Sequence, residues 1–253
     1  MTVRFEMRDR VAVVTLSRPE ARNAVDGAVA RGLDEAVTRL EGDPECWVGI
    51  LAAEGPVFCA GADLKAIAAG RASELRTAHG FGGLVRWPRT KPLIAAVEGP
   101  ALAGGLELVL ACDLVVASEQ ATFGIPEVKR SLVAAGGGVL RLPRALPRNV
   151  ALEMGLTGDP IPAARAAELG LVNRLVPAGA ALDAALELAG RIVANAPVAV
   201  RETRRVMLAA GTMDDDKGWL MSDEALARAI SSDDGMEGPR AFIEKRAPVW
   251  SGR

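Results

Sequence analysis

Four short stretches of the chain carry residue types that could do chemistry together: Phe58-Cys-Ala-Gly-Ala-Asp63, Gly99-Pro-Ala-Leu-Ala-Gly-Gly105, Glu107 two residues further on, and Phe123-Gly-Ile-Pro-Glu127. The two glycine-bearing stretches fall where an apolar strand gives way to a helical pattern. At a helix start the first N–H groups lack an intrahelical acceptor and carry the positive end of the macrodipole, so such turns suit an oxyanion. Two of these donors converging on one oxygen would stabilise an enolate, each worth ~3–4 kcal/mol when it is removed. The alternative role for the small residues is close helix–strand packing. Glu107 falls in the first turn of an otherwise apolar helix, and Glu127 follows a proline after an apolar strand. A carboxylate in apolar surroundings has a raised proton affinity and can act as acid or base near neutrality. Either could equally be a buried partner for an arginine, and spacing alone does not make the two face each other.

The elements that must position these groups follow from periodicity. Val11–Leu16 is short and β-branched and stops at Ser17-Arg18-Pro19, which predicts a strand. Apolar residues at Val25, Val29, Leu33, Val37 and Leu40 form one helix face. Val48–Ala52 reads as a buried strand, and Asp63 onward restarts a helical pattern. Pro92–Val97 predicts a strand and Leu106–Cys112 a helix opened by Gly104-Gly105. Leu114–Ala117, Thr122–Ile125 and Gly170–Val176 predict further strands. From Ala180 onward the pattern is helical alone, over 182–194, 198–208, 219–230 and 236–245. The outcome is an α/β core at 1–195 followed by a helical region at 196–253, with no linker long enough to free one from the other.

Composition narrows the chemistry. The 253 residues hold one His, no Tyr and three Cys, with 30 Lys+Arg against 32 Asp+Glu. His79 alone cannot build a His-rich metal site, and Cys46, Cys59 and Cys112 form no CxxC pair, so no metal site is expected. An odd, scattered thiol count argues against a disulfide framework and for a reducing compartment. His79 sits in an Arg/Ala/Gly-rich stretch and reads as a loop residue, and the serine-elbow and phosphate-loop motifs are absent. Near-neutral charge gives no footprint for nucleic acid, no apolar run reaches membrane-spanning length, and no signal pattern opens the chain, so the expected location is the cytoplasm.

Taken in order, Arg18-Pro-Glu-Ala-Arg-Asn-Ala24, Phe58-to-Lys65, Gly99-to-Asp113, Thr122-to-Glu127 and Met154-Gly-Leu-Thr-Gly158 resemble the motifs of the crotonase superfamily, the enoyl-CoA hydratase/isomerase family, over essentially the full length. The resemblance implies a crotonase-type spiral of β-β-α repeats, a C-terminal trimerisation region, and a homotrimer or a hexamer made of two trimers. It implies that the Ala62 and Gly104 amides hold a thioester oxygen. Glu107 would deprotonate a water for attack at Cβ, and Glu127 would supply the proton at Cα. It assigns coenzyme A contacts to Arg22, Ala24, Ala60, Asp63, Leu64 and Lys65, with Phe242 and Lys245 contributed by a neighbouring subunit. Coenzyme A is then part of the substrate, and no separate cofactor is needed. One departure is Ala103, where the family commonly has a third glycine.

Further likeness, in Asp63-to-Gly70, Val139-Leu-Arg-Leu-Pro143 and the ending Glu237-to-Arg253, is to carnitinyl-CoA dehydratases. The main expectation is reversible hydration of a trans-2-enoyl-CoA. The alternatives are a carnitinyl-CoA dehydratase, an enoyl-CoA isomerase or acyl-CoA hydrolase, and, from another class, a catalytically silent acyl-CoA-binding scaffold. The 71–89 stretch, with Phe81, Leu84 and Trp87, would line the acyl pocket and hold the specificity.

Overall fold

The computed structural model describes all 253 residues. Strands β1 (Val3–Arg8) and β2 (Val11–Leu16) form a hairpin, followed by α1 (Gly27–Gly42), β3 (Val48–Ala53) and α2 (Leu64–Ala68). A small hairpin, β4 (Arg76–Thr77) and β5 (Gly80–Phe81), precedes β6 (Leu93–Val97), β7 (Ala101–Leu102) and α3 (Gly104–Leu110). Then come β8 (Leu114–Ser118), β9 (Thr122–Gly124), α4 (Gly138–Ala145), α5 (Arg148–Thr157), β10 (Ile161–Pro162), α6 (Ala163–Glu168) and β11 (Arg174–Val176). Four helices complete the chain: α7 (Ala181–Val193), α8 (Pro197–Ala210), α9 (Asp215–Ser231) and α10 (Glu237–Glu244).

The main sheet has the order β1-β2-β3-β6-β8-β11, antiparallel in its first pair and parallel thereafter. A strand buried on both faces reads as a continuous apolar run, which is how β2, β3, β6 and β8 look in the sequence. Their residues alternate between two cores. Leu51, Ala95, Val97 and Val115 enter the larger one, while Ile50, Ile94, Ala96 and Val116 face α7 through Ala185 and Ala189. A second layer faces the larger core. It runs through the bridges Val25–Ala62 and Cys59–Ala101 and on through β7, β9 and β10. This second layer brings the segments ending in Ala62, Gly104 and Gly124 side by side.

Several expectations need correction. The predicted strand over Gly170–Val176 is a strand only from Arg174. Gly170 adopts φ +86 and ends α6, and Leu171 and Val172 donate to Ala166 O as part of that helix end. Strand β1, unrecognised in the sequence, has one solvated face, with Arg4, Glu6 and Arg8 alternating against Val3, Phe5 and Met7. Helices α4, α5 and α6 also lie outside the helical patterns read from the sequence. No helix is long and apolar enough to cross a membrane.

Beyond α7 the chain buries little of its own apolar surface. Helix α8 is tied to the body by Arg204, which pairs with Asp113 at 2.9 Å and donates to Arg89 O. Asp113 also holds Arg89, whose side chain is 4% exposed. In contrast Met207, Leu208, Trp219, Leu220, Ile230, Phe242 and Ile243 all stand exposed.

Candidate active site

Residues 22–25 and 60–63 run alongside each other. Ala60 N–H donates to Arg22 O, Val25 N–H to Gly61 O, and Asp63 N–H to Val25 O. Asp63 caps α2, accepting from the Lys65 and Ala66 amides, and pairs with Arg18 at 2.7 Å. Burial alone would raise its proton affinity, but the Arg18 guanidinium and the two amides outweigh it and hold the carboxyl below the usual range. Arg22, Ala24, Ala60, Leu64 and Lys65 therefore lie along one strip, with Arg22, Leu64 and Lys65 exposed, and the buried Asp63 ties it together from beneath. Phe242 and Lys245 make no hydrogen bond or ion pair with that strip within the chain. Phe242 is 86% exposed and Lys245 caps α10 in a left-handed conformation.

The two glycine-bearing turns touch. A Cβ on Gly61, at φ +93, would come within 2.9 Å of Gly104 N and 2.8 Å of the Ala103 Cβ. Ala62 and Gly104 thus lie on adjacent turns, and neither amide donates in any of the turn, loop or cap hydrogen bonds there. Their neighbours are engaged, with Ala103 donating to Gly124 O and Leu106 to Ala103 O. Two free N–H groups on abutting turns are the arrangement an oxyanion needs. Ala103, at φ 52 and ψ −127, holds this corner in a backbone region that favours glycine. The Phe81 ring covers the corner, since a Cβ on Gly104 would fall 2.4 Å from its Cε1 and Cζ atoms.

Glu107 is 4% exposed on the inner face of α3. Its Oε1 accepts from Gly138 N–H at 2.9 Å, and the Gly136 amide also faces it. A Cβ on Gly136 would lie 2.3 Å from Glu107 Oε2, so glycine there is what lets the loop close around the carboxylate. Burial raises the proton affinity of Glu107, partly offset by the two amides and by the charges of Arg141 and Arg76. Glu127 stands on the 3-10 turn Pro126–Arg130, and its Oε2 is buried without a partner. Burial pushes its pKa up to about 7, and the nearby Glu107 charge adds to the rise. The fold therefore brings the two glutamates close enough to feel one another, which sequence spacing left open. The Gly136–Gly138 loop that grips Glu107 was missed as a functional element. Its signal is the run of three consecutive glycines, Gly136–Gly138.

The remaining reactive groups are accounted for elsewhere. Cys59 and Cys112 are buried thiols pushed up to about 12, too high for a nucleophilic thiolate. His79 is held at 2.7 Å from Asp34 and stacks on Trp87, whose Nε1 donates to the same Asp34 oxygen at 2.9 Å. This cluster fastens the 76–89 segment to α1.

An enclosed carboxylate pair beside two free backbone amides defines an acid–base site of the kind that works on carbonyl compounds through an enolate. A family model described as enoyl-CoA hydratase/isomerase matches residues 6–253, and the chain belongs to that family. It is 42% identical over 254 residues, covering 98% of this chain and 96% of the relative, to the enoyl-CoA hydratase EchA19 of Mycobacterium tuberculosis. It is 40% identical over 253 residues, 97% of each, to the carnitinyl-CoA dehydratase of Proteus mirabilis. Among solved structures, an enoyl-CoA hydratase from M. tuberculosis superposes with a TM-score of 0.96 at 50% identity, covering 100% of this chain and 99% of that one. These relatives bear out the expected crotonase-type α/β fold.

Proposed function

We propose that the protein is a hydro-lyase that adds water reversibly across the double bond of a trans-2-enoyl-CoA. The observation that carries this reading is the unequal environment of its two glutamates. Glu107, gripped by two amides and close to two arginine charges, is the better carboxylate. It takes a proton from water as the oxygen attacks Cβ. Glu127, with one oxygen unpartnered and a pKa of about 7, carries a proton in a substantial fraction of molecules at neutrality and delivers it to Cα. Between these events the negative charge rests on the thioester oxygen, against the Ala62 and Gly104 N–H groups. The strip from Arg22 to Lys65 binds the coenzyme A portion, and no separate cofactor takes part. Dehydration of a 3-hydroxyacyl-CoA is the same path reversed, and the carnitinyl-CoA dehydratase relatives fit either direction.

The test is the loss of the conjugated enoyl thioester's ultraviolet absorbance with crotonyl-CoA. E107Q and E127Q should each lower the rate by about 10²–10⁴-fold. Rates within a few-fold of wild type in both variants would remove the assignment. Isomerisation by a single carboxylate leaves the second glutamate without a task, which disfavours that alternative.

The exposed apolar residues of α8–α10 support a homotrimer or hexamer in which residues 196–253 pack on neighbouring copies and bring Phe242 and Lys245 to another subunit's nucleotide strip. Sedimentation equilibrium should return three or six chains, and a monomer would contradict this.

A further inference from the structure

Near the two glutamates stand two arginines that make no ion pair, so with Glu107 ionised the balance of charge there is still positive. Arg76 pairs with Phe81 across the β4–β5 hairpin, and directly paired residues of an antiparallel ladder project from one face. Since the Phe81 ring lies on Gly104, Arg76 leaves the hairpin on the face that carries the oxyanion turns. It is exposed and joins none of the chain's ion pairs. Arg141, half-buried on α4, donates to Val85 O at 2.5 Å and has no carboxylate partner. Its Nη1 would lie 2.2 Å from a Cβ on Gly137, so the guanidinium arches over the loop that grips Glu107.

Two of the acidic groups nearby are already engaged, and a third faces away. Asp34 serves His79 and Trp87, Asp113 serves Arg89 and Arg204, and Glu74 turns toward α1 with its Oε2 at Gly27. Nor is there an aromatic cage for a quaternary ammonium. Trp87 is stacked on His79, Phe81 lies on Gly104, and the chain has no tyrosine.

We propose that the acyl pocket selects a 2-enoyl-CoA whose chain ends in a carboxylate, with Arg76 as the residue that meets it and Arg141 adding its charge, over chains ending in methyl or trimethylammonium. The inference rests on the hydratase reading and deepens it by naming the substrate class.

Three thioesters separate the possibilities: trans-2-hexenedioyl-CoA linked through one carboxyl, trans-2-hexenoyl-CoA, and crotonobetainyl-CoA. The wild-type kcat/KM should be highest for the first, by about tenfold over the second, as expected of a charge-assisted contact in a partly enclosed site. R76Q should bring that ratio to within threefold of unity, and R76E should invert it. A wild-type ratio already within threefold of unity overturns the proposal, as does a ratio that R76Q leaves unchanged. If none of the three is turned over, the hydratase reading fails by itself. The charge preference is then read by calorimetric titration with adipoyl-CoA and hexanoyl-CoA, where equal affinities, or a preference that R76Q does not alter, overturn it.

Discussion

Replacing Glu127 with glutamine tests the site through stability as well as rate. The carboxyl's pKa rises from an ordinary 4.5 to about 7 on folding, chiefly through burial. At about 1.36 kcal/mol per unit this is about 3 kcal/mol against the ionised form, which the open side of the site reduces to about 1–2 kcal/mol. The folded state binds the proton more tightly than the unfolded state does. The neutral acid's stability is therefore fully present below about pH 4.5 and is lost as pH rises through about 7. Glutamine is neutral throughout and nearly the same shape. Urea denaturation of wild type and E127Q should thus give the same stability at pH 4.5, within about 0.5 kcal/mol. At pH 8 the variant should be about 1–2 kcal/mol more stable, while its hydration rate is lower by about 10²–10⁴. Glu107 titrates in both proteins and largely cancels in the comparison. If E127Q gains nothing at pH 8, Glu127 does not carry a burial-raised pKa, and its assignment as the acid loses its physical basis.

G136A places a Cβ 2.3 Å from Glu107 Oε2 and must displace the carboxylate or its loop. A displacement near 1 Å is expected to lower kcat about 100-fold, with the melting temperature lowered by a few degrees at most, and an unchanged kcat would show that the loop does not set the position of Glu107. A103G should relieve backbone strain of about 1–3 kcal/mol at φ 52, ψ −127. The added flexibility of the unfolded chain takes back about 0.5–1 kcal/mol, so the variant should be more stable by about 1 kcal/mol in urea, and a loss of stability would contradict the strain.

What the sequence made legible follows from which forces are local. Strands β2, β3, β6 and β8 could be read because burial on both faces demands unbroken β-branched and aliphatic runs. Helix α1 could be read because one face carries Val29, Leu33, Val37 and Leu40 into the core. Strand β1 was hidden because half its residues are charged and solvated. Gly170–Val176 misled because the same apolar residues serve a helix end when a left-handed glycine turns the chain. The residues of the site were visible as types, yet their relations were not. That Gly61 abuts Gly104, and that Gly136 closes on Glu107, depends on contacts across 43 and 29 positions of sequence, which no periodicity records.

The division of labour between the two glutamates is a matter of hydrogen bonding more than of burial. Both are enclosed, and Glu107 is the more buried, so desolvation alone would make Glu107 the stronger proton holder. The amides reverse that order. An ionised Oε1 at 2.9 Å from Gly138 N–H gains a bond that the protonated form uses less well, and the nearby Gly136 amide dipole also favours the charge. Glu127 Oε2 has no partner, and only the residue's own backbone amide favours the charge, so ionising it leaves a half-buried and poorly compensated charge beside a second carboxylate. The proton is therefore held more tightly by Glu127 than by Glu107, which in the proposed hydration leaves Glu107 free to accept one from water. Hydration needs that starting state, with the base empty and the acid full. On this proposal, once water has added, the proton would sit on Glu107 and the charge on Glu127, the less favourable arrangement, so proton exchange would restore the resting state before the next turnover.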